Sequence, residues 1–219
     1  MLTIENILSE AEVDAIAETL AEAEAGFADG AKTAGWQARD VKRNQQLDAK
    51  AAAAVTAKVE AALRANPVFA AFARPRDFVR LMVSRYREAM EYGMHVDDAL
   101  MDGRRTDLSF TLFISPPDAY DGGELEIEAP GGNVSVKEAA GSAFVYPSTT
   151  LHRVAPVTSG ERLVVVGWVR SHVRGAEQRD ILFELDNVIA ASRQEGASRA
   201  TLDRLLKVQN NLLRLWAED

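Results

Sequence analysis

The sequence predicts an α+β fold in which an antiparallel β sandwich or barrel is flanked by helices at both ends of the chain. Three observations lead to this prediction. Apolar residues recur at helical spacing near both termini. Between about residues 78 and 170 the segments are short, rich in β-branched and aromatic residues and separated by turns, which is typical of antiparallel sheets. The length of 219 residues fits one domain with a helical appendage, and we expect these to span residues 1–176 and 177–219.

Two helices are predicted before the β-rich region. The segment Ser9–Glu12 has the form of a capping box, and the apolar spacing after it predicts a helix over residues 10–25. An alanine-rich helix is predicted over residues 48–65. The residue before a proline avoids helical geometry, so Asn66, followed by Pro67, is expected to end this helix.

Seven strands are predicted in the central region, at residues 78–86, 108–114, 124–128, 134–136, 143–146, 152–155 and 162–170. The segments 121–123 and 130–133 are rich in turn-forming residues and are predicted to be turns between strands. After about residue 175 the helical spacing returns in two apolar stripes. Packing against the barrel or against a second subunit would cover these stripes, which leaves a homodimer open.

The composition restricts the chemistry and the partners of this protein. With no cysteine, disulfides, thiolate zinc sites, iron–sulfur clusters and cysteine nucleophiles are excluded. Any bound metal must use nitrogen and oxygen ligands, and the chain has only three histidines. The net charge of −8 repels a polyanion, so no nucleic acid partner is expected. No apolar run approaches the ~20 residues of a membrane helix, and the N-terminus lacks the features of a signal peptide, so we expect no membrane association and a cytoplasmic location.

Two histidines and one aspartate form a candidate metal site. Residues two apart in an extended segment point the same way, so His95 and Asp97 can reach one cation, although such a pair alone is more often a hydrogen-bonded pair. His152 opens a predicted strand in the same β-rich region. Two histidines and a carboxylate make the facial triad of non-haem iron(II) oxygenases, which leaves coordination positions open. Those positions suit a bidentate 2-oxo acid and O2.

Arg162 follows His152 by ten residues and is a candidate anchor for the 2-oxo acid. The turn predicted at residues 158–160 would fold the strand of Arg162 back beside the strand of His152. A guanidinium there could bind a distal carboxylate bidentately. Alone, such an arginine is most often an ordinary surface residue, but together with the triad the functional interpretation is favoured.

Short motifs around these residues occur in a recognisable order and spacing, namely Arg85-Tyr86, Tyr92–Asp97, Thr106–Ser109, Tyr120–Leu125, Tyr146–Ser148, Leu151–Val154, Pro156–Arg162 and Asp180–Asp186. In these motifs the chain resembles the PKHD-type hydroxylases, bacterial relatives of the prolyl 4-hydroxylases in the iron/2-oxoglutarate superfamily. The resemblance implies a double-stranded β-helix, or jelly roll, flanked by helices. It also implies that His95, Asp97 and His152 bind Fe(2+) and that Arg162 binds the far carboxylate of 2-oxoglutarate.

The activity implied by the resemblance is that of a dioxygenase. Such an enzyme consumes 2-oxoglutarate and O2, hydroxylates an unidentified peptide or small molecule, and releases succinate and CO2, with L-ascorbate as a further cofactor. Tyr86 could contact 2-oxoglutarate or be a buried tyrosine with a satisfied hydroxyl. In animal prolyl hydroxylases a tyrosine on the strand after the first two ligands holds the distal carboxylate; here only the hydroxyl of Ser109 or Thr111 could assist.

Two other kinds of protein would share a jelly roll. A cupin-like metal enzyme that does not use 2-oxoglutarate would have no need of Arg162. A small-molecule sensor could keep the barrel without catalysis, although the intact ligand set argues against it. Metal-dependent consumption of 2-oxoglutarate would distinguish these alternatives, and the sequence leaves the hydroxylated substrate open.

Overall fold

The computed structural model describes residues 1–33, 35, 38–129 and 131–218. Its strands are β1 Leu2–Ile4, β2 Phe27–Asp29, β3 Lys42–Arg43, β4 Gln45–Leu47, β5 Pro75–Tyr86, β6 Glu91–His95, β7 Leu100–Met101, β8 Arg104–Arg105, β9 Leu108–Phe113, β10 Tyr120–Gly122, β11 Leu125–Ile127, β12 Val134–Val136, β13 Ala143–Pro147, β14 His152–Val154, β15 Val157–Gly160 and β16 Arg162–Ser171. Its helices are α1 Glu10–Glu22, α2 Ala49–Ala65, α3 Pro67–Ala73, α4 Ala176–Gln194 and α5 Arg199–Trp216.

Two antiparallel sheets form the centre of the molecule, as the sequence predicts. The larger sheet has the order β1-β13-β9-β16-β5-β4-β2 and the smaller one β12-β11-β14-β6-β3. Side chains from both sheets line one cavity between them. All seven predicted strands are present, with ends that differ by a few residues. The predicted turn at residues 130–133 includes Pro130, which lies outside the described residues.

The pairing predicted for Arg162 is wrong. Its strand, β16, lies between β9 and β5 in the larger sheet, whereas β14 with His152 lies between β11 and β6 in the smaller sheet. Residues 158–160 are not a tight turn but belong to β15, which pairs with β10. Because the chain crosses from one sheet to the other at this point, Arg162 approaches the cavity from the wall opposite His152.

The N-terminal helices cover the outer face of the larger sheet. The predicted capping box begins α1, where the Ser9 backbone N–H donates to Glu12 Oε2 at 3.0 Å. Asp48 caps α2 through the N–H groups of Lys50 and Ala51. The predicted end of α2 at Asn66 is correct, but a further helix starts there. Asn66 caps α3 and Pro67 takes the first helical position, where a proline is well tolerated.

Apolar residues of α2 and α3 bury against β5 and β9. Val59, Leu63 and Phe69 are fully buried, and the Phe69 ring packs against Phe78 and Phe110 at centroid distances of 5.8 and 6.2 Å. Burial of each large apolar side chain contributes about 1.5–3 kcal/mol. This layer holds the larger sheet in place and so fixes the wall that carries Arg162.

Helices α4 and α5 form an antiparallel pair after the last strand. Arg74 Nη2 lies 2.6 Å from Asp186 Oδ2 of α4 and ties the pair to the end of α3. Leu182 of α4 is buried, whereas no residue of α5 is. Among the described residues, no helix combines the length and the apolar composition that crossing a membrane would require.

Candidate active site

His95, Asp97 and His152 meet in the cavity between the two sheets. His95 ends β6, Asp97 follows it two residues later, and His152 begins β14 directly opposite His95 in the antiparallel pairing. His95 Nε2 lies 3.9 Å and His152 Nε2 lies 3.8 Å from Asp97 Oδ1. One ligand atom from each residue falls within 4.8 Å of the others. The structure thus brings together the three residues that the sequence indicates as candidate metal ligands.

Hydrogen bonds from neighbouring groups orient all three side chains. His95 Nδ1 is 2.8 Å from Gly93 O, and His152 Nδ1 is 2.9 Å from Thr150 O. A carbonyl can only accept, so each Nδ1 carries the proton and each Nε2 presents a lone pair to the cluster. Ser109 Oγ donates to Asp97 Oδ2 at 2.5 Å, which leaves Oδ1 facing the two imidazoles. Two nitrogens and one oxygen converge, as an octahedral metal with open positions requires.

The electrostatic environment keeps the imidazole of His95 neutral. Burial and the neighbouring His152 ring lower the pKa of His95 to about 4. A histidine must be unprotonated to bind a metal, so His95 needs no deprotonation at neutral pH. The Tyr92 ring stacks on the His95 ring with centroids 3.7 Å apart and covers its outer side.

Arg162 lies at the opposite wall of the same cavity and is the most deeply buried charged residue described, with 1% exposure. Its Nε, Nη1 and Nη2 atoms have no hydrogen-bond partner among the described residues. The guanidinium lies over the rings of Tyr86 and Phe113, at 5.1 and 5.5 Å from the centroids. A buried cation without an anion is costly, so this position fits the distal carboxylate of a 2-oxo diacid.

Two matches to known families agree with this geometry. Residues 81–170 match the 2OG-Fe(II) oxygenase superfamily, and residues 177–218 match the PKHD-type hydroxylase C-terminal domain. A PKHD-type hydroxylase from Maricaulis maris is 56% identical over 89% of both chains. Another, from Parvibaculum lavamentivorans, is 53% identical over 93% of both. The chain belongs to the PKHD-type hydroxylase family.

A solved structure gives the fold of this family member. The Pseudomonas putida prolyl-4-hydroxylase matches it with a TM-score of 0.56 and 23% identity, over 78% of this chain and 91% of that chain. At this identity the likeness concerns the fold alone. It confirms the double-stranded β-helix, and the family confirms the expected reaction class of an iron(II)- and 2-oxoglutarate-dependent oxygenase.

Three further residues of this hydroxylase were candidates for 2-oxoglutarate contacts. Tyr86 faces Arg162 across the β5–β16 pairing, and burial raises the pKa of its phenol, an effect that the Arg162 charge opposes. Thr111 lines the cavity beside Val166. Ser109, in contrast, donates to Asp97 and lies near the metal cluster. The structure thus places Tyr86 with Arg162 and Ser109 with Asp97.

Sequence reasoning missed two residues of the enzyme's Arg162 wall. The Tyr120 hydroxyl is buried without a hydrogen-bond partner among the described residues; burial raises the pKa of this phenol, and the charge of Arg162 opposes that rise. Gly123, with a φ of +68°, packs against Tyr120 and Arg162, because a Cβ there would lie 3.0 Å from Arg162 Cδ. Both belong to a motif noted in the sequence, but nothing local shows that it touches Arg162.

Proposed function

We propose that this enzyme binds iron(II) through His95, Asp97 and His152, binds 2-oxoglutarate through Arg162, and hydroxylates a peptide or small molecule with release of succinate and CO2. The observation that carries the proposal is the unpaired guanidinium of Arg162 in the cavity that also holds the three converging ligand atoms. A metal cluster alone would suit many enzymes, including cupin-like ones. The buried cation adds a site for a dicarboxylate co-substrate.

The protein's own part in the reaction is to position and to exclude water. Gly93 O and Thr150 O hold the two imidazoles in the metal-binding tautomer, and Ser109 holds the carboxylate of Asp97. Arg162 would orient 2-oxoglutarate from its far end, with Tyr86 and Tyr120 as neighbouring hydroxyls. When bound, iron(II) would supply the redox chemistry that couples decarboxylation of the 2-oxo acid to hydroxylation of a C–H bond.

Several finer assignments belong to the same proposal. We assign Thr111 to the wall of the co-substrate site and keep L-ascorbate as a cofactor on family grounds. We place the catalytic domain at residues 1–176 and a helical extension at 177–219, supported by the separate family match of residues 177–218. The exposed apolar residues of this pair, among them Ile181, Val188 and Leu215, support a homodimer. We also propose that the enzyme is cytoplasmic and has no nucleic acid or membrane partner.

Spectroscopy of the iron(II) protein under anaerobic conditions tests this proposal. Titration with 2-oxoglutarate should produce a weak visible charge-transfer band that saturates in the wild type and requires far more 2-oxoglutarate in Arg162→Met. An Asp97→Ala variant should lose the band. If the wild type binds iron but shows no band, 2-oxoglutarate is not the co-substrate and a metal enzyme of the cupin-like kind is favoured.

A further inference from the structure

The strap formed by β3 and β4 presents polar side chains to the cavity. β3 pairs with β6 of the smaller sheet and β4 with β5 of the larger one, so residues 42–47 bridge the two sheets. Lys42, Asn44 and Gln46 are buried and line the cavity, whereas Arg43 between them is exposed. The buried face of a strand is usually apolar. A wholly polar inner face therefore points to a ligand.

Lys42 is the most unusual member of this strap. It is only 6% exposed, yet no carboxylate oxygen of the described residues lies within 4.0 Å of its Nζ, which donates to Thr33 Oγ1 at 3.1 Å. Lysines are almost never buried without a charged partner. Burial lowers the pKa of Lys42 to about 8, although Asp97 and Asp29 act against this from a distance. The side chain therefore remains a cation at neutral pH.

The other buried cationic side chains differ from Lys42 in their hydrogen-bond partners. Arg85 lies 2.5 Å from Glu24 Oε2, and Arg179 donates to two backbone carbonyls at 2.8 and 2.9 Å. Neither of them lines the cavity. Among the buried lysine and arginine side chains that are described, Lys42 and Arg162 are the two that contact neither a carboxylate nor a backbone carbonyl, and both line the cavity; Lys42 has only the Thr33 hydroxyl as a hydrogen-bond partner. Arg162 would bind one carboxylate, that of the co-substrate, and Lys42 would bind a second carboxylate.

The position of Lys42 relates it to the metal cluster. Its Nζ lies 5.1 Å from the centroid of the Tyr92 ring, and this ring stacks on His95. One aromatic ring thus separates the ammonium from a metal ligand. Around the same cavity, the indole Nε1 of Trp168 has no hydrogen-bond partner within the described ranges, and the Asn44 amide lies beside the Tyr86 hydroxyl. These groups could pair with amide or hydroxyl groups of a bound molecule.

We propose that Lys42 binds a carboxylate of the molecule that is hydroxylated, so that the enzyme acts on an acidic substrate. This inference rests on the proposed function, because it assumes that Arg162 takes the carboxylate of 2-oxoglutarate. The substrate carboxylate belongs to an acidic side chain or to a free acid, and the carbon that is hydroxylated lies a few bonds from it. Lys42 is thus a specificity-determining residue of the strap.

Matched pairs of probes test this inference. We would use blocked tripeptides with a central Asp or Asn, the same peptides with Glu or Gln, and N-acetylalanine with its amide. Dissociation constants would be measured by calorimetry on the anaerobic iron(II) protein saturated with 2-oxoglutarate. At least one acidic probe should bind about tenfold more tightly than its amide, as one charge-assisted hydrogen bond predicts. Whether this probe carries an Asp side chain, a Glu side chain or a free α-carboxylate identifies the source of the substrate carboxylate.

Three variants separate the role of Lys42 from other effects. Lys42→Met should abolish the preference for the acidic probe, whereas Lys42→Arg should keep part of it. Arg43→Met is the matched control, because Arg43 is the exposed neighbour that pairs with Glu91, and it should behave like the wild type. Binding of 2-oxoglutarate, measured from the charge-transfer band, should be unchanged in all three variants.

The outcomes distinguish this inference from the function on which it rests. Equal affinity for both members of every pair, or no binding of any acidic probe, overturns the inference while the charge-transfer band leaves the proposed function intact. A tenfold loss of 2-oxoglutarate affinity in Lys42→Met also overturns it, since Lys42 would then belong to the co-substrate site. Absence of the band in the wild type overturns the proposed function itself.

Discussion

Replacement of Arg162 by methionine should make the protein more stable and weaken its binding of 2-oxoglutarate at least a hundredfold. The guanidinium is 1% exposed, and its three nitrogens have no hydrogen-bond partner among the described residues. Without a co-substrate its charge is therefore compensated by the rings of Tyr86 and Phe113, by the neighbouring Tyr120 hydroxyl and by any solvent that enters the cavity. Methionine keeps an unbranched chain of similar reach and removes the charge.

The expected change in the free energy of unfolding for Arg162→Met is the difference between opposing contributions. Desolvation of a buried ion has an effective cost of several kcal/mol. The two ring contacts, at 5.1 and 5.5 Å, each offset about 0.5–2 kcal/mol, and hydration of the cavity offsets more. A net gain of about 1–2 kcal/mol for Arg162→Met raises the Tm of a protein of this size by about 2–8 °C. Loss of the buried charge pair with 2-oxoglutarate costs about 3–5 kcal/mol, which weakens binding at least a hundredfold.

The assay compares thermal unfolding of the iron(II)-loaded wild type and Arg162→Met, each with and without saturating 2-oxoglutarate under anaerobic conditions. The variant should unfold at the higher temperature without the co-substrate. At a 2-oxoglutarate concentration that just saturates the wild type, only the wild type should gain appreciable stability. A variant that is less stable than the wild type without 2-oxoglutarate, or that is stabilised by it equally, would refute this reasoning.

Three further predictions follow from the same site. Asp97→Ala should abolish succinate formation and weaken iron binding, measured by metal titration, because one of three ligands is lost. Gly123→Ala should destabilise the fold by about 1–2 kcal/mol, since the φ of Gly123 is +68°, and should weaken 2-oxoglutarate binding by displacing Arg162. The control is Gly196→Ala, at a φ of +73° with no atom within 4 Å of the added Cβ. It should destabilise the fold similarly and leave 2-oxoglutarate binding unchanged. The pKa of Lys42 is about 8 in the folded protein against an ordinary 10.5. Between these pH values the unfolded chain therefore holds a proton that the folded chain has released. The free energy of unfolding should accordingly rise with pH by up to about 3 kcal/mol more in the wild type than in Lys42→Met.

Each of these predictions has a result that contradicts it. Succinate production by Asp97→Ala would remove that residue from the metal site. Equal effects of the two glycine variants on 2-oxoglutarate affinity would mean that Gly123 does not support Arg162. Urea unfolding of the wild type and Lys42→Met with the same pH dependence would show that the lysine is hydrated in the folded protein.

The features that the sequence predicted correctly depend on local patterns. Strand positions follow from β-branched runs between turns, and the joint direction of His95 and Asp97 follows from their spacing of two. The metal cluster needed one long-range step, the pairing of β6 with β14. The shared motif order with a known family supplied that step, since spacing alone does not tell which strands pair.

The features that it missed depend on contacts between distant parts of the chain. The predicted neighbour of the Arg162 strand was wrong because a turn signal fixes only that the chain changes direction, not which sheet it joins. The strap with Lys42 was not predicted at all, since a strand with a polar inner face lacks the alternation by which buried strands are recognised. Helix α3 was missed because Asn66 and Pro67 indicate the end of α2 and equally suit the start of a new helix.

Charge balance links the buried cations Lys42 and Arg162 to the reaction. Lys42, Arg162 and a bound iron(II) ion bring four positive charges to the cavity, of which Asp97 neutralises one. A 2-oxoglutarate dianion neutralises two more, and one positive charge remains. Two further charged residues line the cavity: Asp98 is exposed, so solvent screens it, and Arg80 is already paired with Asp102. A buried charge without a counterion is unstable, and a substrate with one carboxylate would remove it. Such an enzyme would still attract an acidic molecule once iron and 2-oxoglutarate are in place, because one positive charge remains in the cavity for a single monoanion.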